Sequence, residues 1–449
     1  MKTLPRPRIK ALPEADLTSR TIQRAYSEWS AHLGSYRILQ DYYLGAFPPS
    51  LVTANQCRYI TDTKTYFTSG LPTQYTHAVD DEDAMEIEDL FHTQNKPLLD
   101  QRITRGCSIF GRCNELVFLD EGGSPKSSYV SPLDGFVAFA PEMDGPAVFG
   151  AVHYSVKEDD STTTHLLDIY TSTDVTRYRQ SMRGSEYGWT AMSDPVPHGF
   201  GRVPLIEYQN NDYALGDFEQ CIALQDAINS LLSDRQADKD KFAQDYMVLK
   251  GFLLGEDDEE QEDAMERLKK KKLLQISGDD ADISYLTKTY DEAGVQVLMD
   301  EYLREVHKTA FVPDMSDKEF GTASGVAIRY KLLGLQDLAQ GFVSQFGIGY
   351  TRRCKLYAKA LNLSPDISQM RALFKFNIPS DLTYESQSLT TLVTGGIISE
   401  RTARENCTLI EDADAETEEI EAQRAARAQI DKSVYEDDFT GSLMRLEDA

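Results

Sequence analysis

The residue types that carry chemistry are all present in this chain, but nowhere at spacings that assemble a site. The seven histidines are isolated from one another, so no sequence-local zinc site is expected. No GxxxxGK[ST] phosphate loop, HExxH, GxSxG or EF-hand loop occurs. Cys107 and Cys113 are the closest cysteine pair. They could support redox chemistry, although two packed thiols in the apolar segment 98–119 are the commoner arrangement. The acidic run 256–263 could hold cations, and its default reading is a solvated loop. Lys269, Lys270, Lys271 and Lys272 could touch phosphate, or simply cap a solvated helix end whose dipole suits cations. The stretch Gly321-Thr-Ala-Ser-Gly325 opens a helical pattern and could cradle an anion, and a flexible hinge explains it equally well. We therefore expect no active site, no metal and no cofactor.

The stretch with the strongest organisation is 291–363. Val295, Leu298, Tyr302 and Val306 recur at helical spacing, and Pro313 ends that helix because proline has no N–H to continue it. A charged loop follows, with Asp314, Met315, Asp317, Lys318, Glu319, Phe320 and Gly321. Helical spacing resumes through Val326, Tyr330, Leu333, Leu338, Phe342 and Phe346 and runs to about residue 363. Upstream, residues 218–246 read as a helix about 45 Å long, with Asp217 expected as its cap. Its second half is nearly all polar or charged, so neighbours must support it. Between these helices lies an insert, 248–286. It is read as strands at 248–254, 273–277 and 283–286 around a short helix at 264–272.

Before residue 216 the chain reads as a mixed body. A basic, proline-containing arm (1–20) precedes helices at 21–44, 55–66, 80–93 and 98–108. Strands are expected at 115–119, 135–140, 148–156, 166–170, 175–179 and 205–208, paired antiparallel to give an α+β body. After residue 363, a returning strand at 373–378, a helix at 384–394 and a charged helical tail at 402–429 complete the pattern.

The chain has 449 residues, 41% of them hydrophobic, which is enough for more than one packed region. The net charge of −27 argues against gripping nucleic acid by neutralising phosphates. It is compatible with a surface that DNA passes without sticking, because like charges repel. The six cysteines, scattered among apolar residues, read as reduced thiols of an intracellular protein. The opening Met-Lys-Thr-Leu-Pro-Arg-Pro-Arg has no apolar core, so no signal peptide is expected, and no run reaches transmembrane length.

The order of several short pieces carries a resemblance. Asp41-Tyr-Tyr-Leu-Gly45, residues 55–62 and Tyr66-Phe-Thr-Ser-Gly-Leu-Pro72 come first. Gly201-Arg-Val-Pro-Leu-Ile-Glu207, Asn210-Asn211 and Gly216-Asp-Phe-Glu219 follow and are the most specific. Ser233-Asp234, Asp245-Tyr-Met-Val-Leu249, Leu286-Thr-Lys288 and Val312-Pro-Asp-Met315 come next. Ser324-Gly325 with Ala327, Phe376-Asn-Ile-Pro379 and residues 396–402 complete the set. In this order the chain resembles the bacteriophage portal proteins, in the family typified by the portal of the Bacillus phage SPP1.

The resemblance implies a portal fold. It would have an α/β wing (1–215, with a return at 364–400), two long stem helices (216–247 and 287–312) and a small α/β clip (248–286). A tunnel loop (313–324), a kinked long helix (325–363) and a short helical crown (401–449) would complete it. It further implies a homododecameric ring in the virion, assembled in the host bacterial cytoplasm, through which double-stranded DNA is packaged and ejected. Its partners would be the terminase large subunit, major capsid and scaffolding proteins and a head-completion or adaptor protein, with no membrane involved. The tunnel-loop residues named above would line the channel. Gly325, Gly341, Gly347 and Gly349 would let the long helix bend, or else permit close packing, and Lys269–Lys272 would face partners at the clip. The competing expectation is a capsid-associated minor structural protein without a channel.

Overall fold

Capping chemistry sets the starts of the first helices. In the computed structural model, Thr18 caps α1 (Ser19–Leu44), Asn55 caps α2 (Gln56–Ser69) and Asp81 caps α3 (Glu82–Thr93), each accepting from backbone amides of the first turn. Pro97 lies in the first turn of α4 (Lys96–Phe110), where a missing N–H costs nothing. The structure describes residues 6–12, 17–77, 81–157, 163–183, 186–242, 247–250, 282–285, 292–316, 325–378, 382–407, 409–410, 413 and 415–426. All statements below concern these residues. The chain divides into two units, one formed by residues 1–317 and 331–377 and the other by 318–330 and 378–449.

The first unit holds two larger sheets. One runs β1 (Ile9–Lys10), β5 (Gly135–Phe139), β6 (Ala147–Lys157), β7 (Thr163–Tyr170), β8 (Asp174–Arg183) and β10 (Val196–Pro197), with β9 (Glu186–Ala191) also on β8. The other has the order β11 (Leu205–Gln209), β3 (Arg112–Leu119), β4 (Pro125–Val130). Pairing is antiparallel as expected, except that β1 lies parallel to β5, because the N-terminal arm enters as an edge strand. Strands β1, β2, β4, β9 and β10 are not legible as strands in the sequence; β4 and β10 carry prolines, and β1 and β2 are too short to show alternation. Helix α1 covers one face of the larger sheet, packing Ile22, Ala25 and Trp29 onto Phe136, Phe149, Leu167 and Trp189. Val130, Val137, Phe139, Val152 and Leu205 fill the space between the sheets. A two-stranded pair joins β2 (Gln74–Thr76) to β14 (Arg371–Leu373), so the expected return strand exists but is shorter and earlier.

Three further helices complete this unit. The segment after Gly216 begins as a 3-10 turn (Glu219–Cys221) and continues as α5 (Ile222–Phe242). Asp217 does not cap it, because its carboxylate is taken by Lys64 at 2.8 Å and by Asn210 at 2.7 Å. Helix α6 spans Glu292–Ala310, and the long helix α7 spans Gly325–Leu361, of which the part from Lys331 belongs to this unit. Strands β12 (Met247–Lys250) and β13 (Asp282–Tyr285) pair antiparallel, while the expected helix at 264–272 and strand at 273–277 lie outside the described residues. In the second unit, α8 (Leu382–Thr394) precedes α9 (Glu400–Glu405), and residues 415–426 are helical; the expected tail helix is thus interrupted.

The two helix faces read from the sequence hold at their C-terminal ends and shift elsewhere. On α6 the buried positions are Met299, Val306 and Ala310, while Leu298 is 42% exposed. On α7 they are Leu332, Leu335, Ala339, Phe342, Phe346 and Tyr350, while Tyr330 and Leu333 face solvent. Val306, Phe342 and Phe346 are buried as read from the sequence, whereas at Leu298 and Leu333 the buried position is the adjacent Met299 or Leu332, because large apolar residues flank the face there.

Arg353 continues the buried stripe of α7 and is wholly enclosed. Its Nε contacts both oxygens of Glu115 at 3.0 and 2.9 Å, and its Nη2 donates to Asp100 at 2.7 Å. Tyr75 donates to Asp100 and Tyr208 to Glu115, each at 2.7 Å. Burial opposes charge on all three groups, and at Asp100 it prevails over Arg353 and raises that carboxyl above its ordinary pKa. Arg353 nevertheless stays above its ordinary pKa because Asp100 and Glu115 face it. Burial also raises Glu115, but Arg353 and Lys96 outweigh it and hold that carboxyl below its usual range. Arg353→Met should cost about 3–5 kcal/mol in chemical unfolding, since two buried carboxylates lose their partner. Adding Asp100→Asn and Glu115→Gln should recover most of that loss; no recovery would show that the arginine acts through its shape alone.

Candidate functional site

The geometry around the charged loop is set by α5 and α6. They run antiparallel, since Cys221 donates to the Val306 carbonyl at 3.6 Å while Arg235 reaches Gln296 at 3.1 Å. Near the far end, Lys239 and Arg235 approach Glu292 at 3.3 and 3.5 Å. Lys239 first, then Arg235, holds the Glu292 carboxyl below its usual range.

Beside the buried Ile222 and Ile228, α5 also turns polar residues inward. Gln225, Asn229 and Ser233 recur every fourth residue and meet the extended backbone before α2. Gln225 donates to the Ala54 carbonyl at 2.6 Å and accepts from the Gln56 amide at 2.9 Å. Asn229 accepts from the Ala54 amide at 3.1 Å, and Ser233 from the Val52 amide at 2.9 Å. These side chains replace a strand partner, satisfying backbone groups that have no ladder of their own. The polar second half of the helix finds its neighbour in α6, which it meets through Arg235 and Lys239.

At the end of α6 the chain turns sharply. Phe311 adopts φ +57°, Val312 is fully buried and Pro313 follows. His307 donates Nδ1–H to the Val312 carbonyl at 3.0 Å; a carbonyl can only accept, so the proton resides on that nitrogen. Its Nε2 lies 3.9 Å from Asp314 Oδ2. The other oxygen of Asp314 accepts from the Ser316 amide at 2.9 Å and hydroxyl at 2.6 Å, an Asx turn. Partial burial raises the Asp314 carboxyl, but the Ser316 bonds and His307 outweigh it, leaving its pKa below the ordinary value.

Of the loop residues singled out from sequence, Asp314 and Met315 lie at this turn, both partly open to solvent. Asp317, Lys318, Glu319, Phe320 and Gly321 lie outside the described residues, as do Lys269, Lys270, Lys271 and Lys272. Gly325 is the first residue of α7. Gly341 and Gly347 have open space where a side chain would project. Gly349 does not: the ring of Tyr208 occupies that position, so glycine there permits the helix to pack on β11. Sequence reasoning missed Tyr59 and His307, which only the folded chain brings to the loop. It also missed Arg353, whose place in line with Phe346, Tyr350 and Tyr357 was the available signal. Cys107 and Cys113 are buried with their sulfurs 3.4 Å apart, and burial first, then Cys107, raises the Cys113 thiol far above its ordinary pKa. Among the described residues there is no group of three or more potential metal ligands, and no helix is long and apolar enough to cross a membrane.

Comparison with known proteins gives three results. The family described as phage portal protein, SPP1 Gp6-like, matches residues 27–429. The portal protein of Bacillus phage SPP1 is 24% identical over 340 residues, covering 72% of this chain and 66% of that relative. The match thus spans just under two thirds of the relative's length. Among solved structures, a chain from the neck of an empty GTA particle has a TM-score of 0.45 at 12% identity, covering 77% of this chain and 88% of that one. A chain from the virion of a native gene transfer agent particle has a TM-score of 0.43 at 11% identity, covering 82% and 97%. Structural likeness of this depth carries no argument.

The glycines separate by their surroundings. Gly341→Ala should stabilise the protein by about 1 kcal/mol, because alanine is the better helix former in open space. Gly349→Ala should destabilise it by about 1–3 kcal/mol, because the added methyl meets the Tyr208 ring. Thermal and urea unfolding of the two variants distinguishes them; equal effects would contradict the packing described.

Proposed function

The chain belongs to the phage portal proteins of the SPP1 Gp6-like family, and on that premise we propose that it forms a dodecameric ring at one vertex of a capsid. The ring is the channel for double-stranded DNA during packaging and ejection. The observation that carries this reading is the family match from residue 27 to residue 429, which takes in α2 to α9 whole and most of α1.

In this reading residues 1–215 and 364–400 form the wing, with α5 (in 216–247) and α6 (in 287–312) as the stem. Residues 248–286 form the clip, 313–324 the tunnel loop, 325–363 the long helix behind it and 401–449 a short crown. The largely solvent-exposed charged faces of α5 and α6 suit copies standing side by side, where ion pairs set register more than affinity. The net charge of −27 suits a wall along which DNA slides, since many phosphate contacts would make it stall. Lys318 supplies a transient phosphate contact, and Asp317 and Glu319 keep it weak. Gly321 and Gly325 let the loop move, and Gly341 and Gly347 let the long helix bend. The clip lysines Lys269–Lys272 meet the terminase large subunit during packaging and a head-completion or adaptor protein afterwards. Major capsid and scaffolding proteins surround the wing. The ring is assembled in the host bacterial cytoplasm and carries no motor of its own, since the terminase supplies the force.

Negative-stain microscopy of the purified protein should show rings with a central hole, and a monomer or small closed oligomer would count against the reading. Deleting Asp317–Gly321 should leave rings intact and impair DNA filling of particles; normal filling would sink the channel assignment. Replacing Lys269, Lys270, Lys271 and Lys272 together by glutamate should weaken terminase or adaptor binding by about tenfold or more. Unchanged binding in a pull-down titration would remove the clip from that interface.

A further inference from the structure

Tyr59 of α2 lies 254 residues before the turn that follows α6, yet its hydroxyl makes two bonds to that turn. It donates to the Pro313 carbonyl at 2.9 Å and accepts from the Met315 amide, also at 2.9 Å. A single hydroxyl therefore spans the residue between them, acting once as donor and once as acceptor. Its ring stands edge-on to His307 with centroids 5.6 Å apart, and His307 in turn holds the Val312 carbonyl. Asp314 holds Ser316.

Four backbone groups of this short stretch are thus satisfied, and none of them by a helix or sheet ladder. The carbonyls of Val312 and Pro313 and the amides of Met315 and Ser316 are all bonded to side chains. Only Tyr59 comes from outside the segment that begins with α6. It is therefore the one contact among these that ties the turn to the body of the first unit. The phenol is half-buried, and both of its partners are main-chain atoms. The contact reads backbone position, not the identity of the side chains at 313–315.

We propose that Tyr59 is a positioning residue: it anchors residues 312–316 to α2, so that force applied to the chain beyond Ser316 is borne by α2 and not passed into α6. The anchor stands on the geometry alone. Its mechanical role during DNA passage rests on the portal reading above.

Tyr59→Phe removes both bonds and keeps the ring against His307. Amide hydrogen exchange at Met315 should accelerate by roughly five- to thirtyfold, the shift expected when two hydrogen bonds to one site are lost. Amides within α2 and α6 should keep their rates. Unchanged exchange at Met315 would overturn the anchor, and acceleration spread equally over α2 and α6 would overturn its local character. In particles, the variant should form rings as the unsubstituted protein does but package markedly less DNA. Rings with normal filling, despite accelerated exchange at Met315, would overturn the mechanical role. If the unsubstituted protein forms no rings, the portal reading falls, and the exchange result stands by itself.

Discussion

A charge can stay inside a protein only if an opposite charge is brought to it, and this constraint organises the first unit. Arg353 meets Asp100 and Glu115, Arg112 meets Glu207, Lys64 meets Asp217 and Arg6 meets Glu219, all deeply buried. Each pair joins segments far apart in sequence: the N-terminal arm to the start of α5, α2 to the turn before it, β3 to β11, and α7 to both α4 and β3. Such pairs need not stabilise the fold more than apolar residues of the same volume would. What they do is penalise every other arrangement, because any slip of one segment strands a charge in a region without water. The long helix is therefore held in one rotational and axial position by a single guanidinium.

A second constraint is the backbone itself. The extended residues before α2 have no strand beside them, so Gln225, Asn229 and Ser233 of α5 supply the missing donors and acceptors. At the end of α6, Tyr59, His307 and Asp314 do the same for the turn. In both places polar side chains on helices do the work of a sheet. This explains why these helices look under-supplied with apolar residues when read alone.

Together the two constraints fix the described core of the first unit. The body, α5, α6 and α7 are interlocked through buried pairs and side-chain-to-backbone bonds. The residues proposed to meet DNA lie between α6 and α7 in sequence, and those proposed to meet partner proteins lie between β12 and β13.

The sequence by itself determined the type and order of the longer elements. Helical spacing and Gly/Pro breakers located α1, α2, α3 and α4 to within a few residues, and β-branched runs between turn residues located β3, β5, β6, β7, β8 and β11. These signals are local, because they depend on backbone sterics and on which neighbours share a face. The order of short motifs also pointed to the family that the comparison over residues 27–429 bears out. Only the tertiary structure decided the rest. It showed which of two adjacent apolar positions on α6 and α7 is buried, as Met299 and Leu332 replace Leu298 and Leu333. It gave Asp217 to Lys64 instead of the helix start, and set β1 parallel to β5. It also placed Tyr59 beside Pro313. The reason is the same in each case: these outcomes depend on a partner distant in the chain, and local spacing carries no information about that partner.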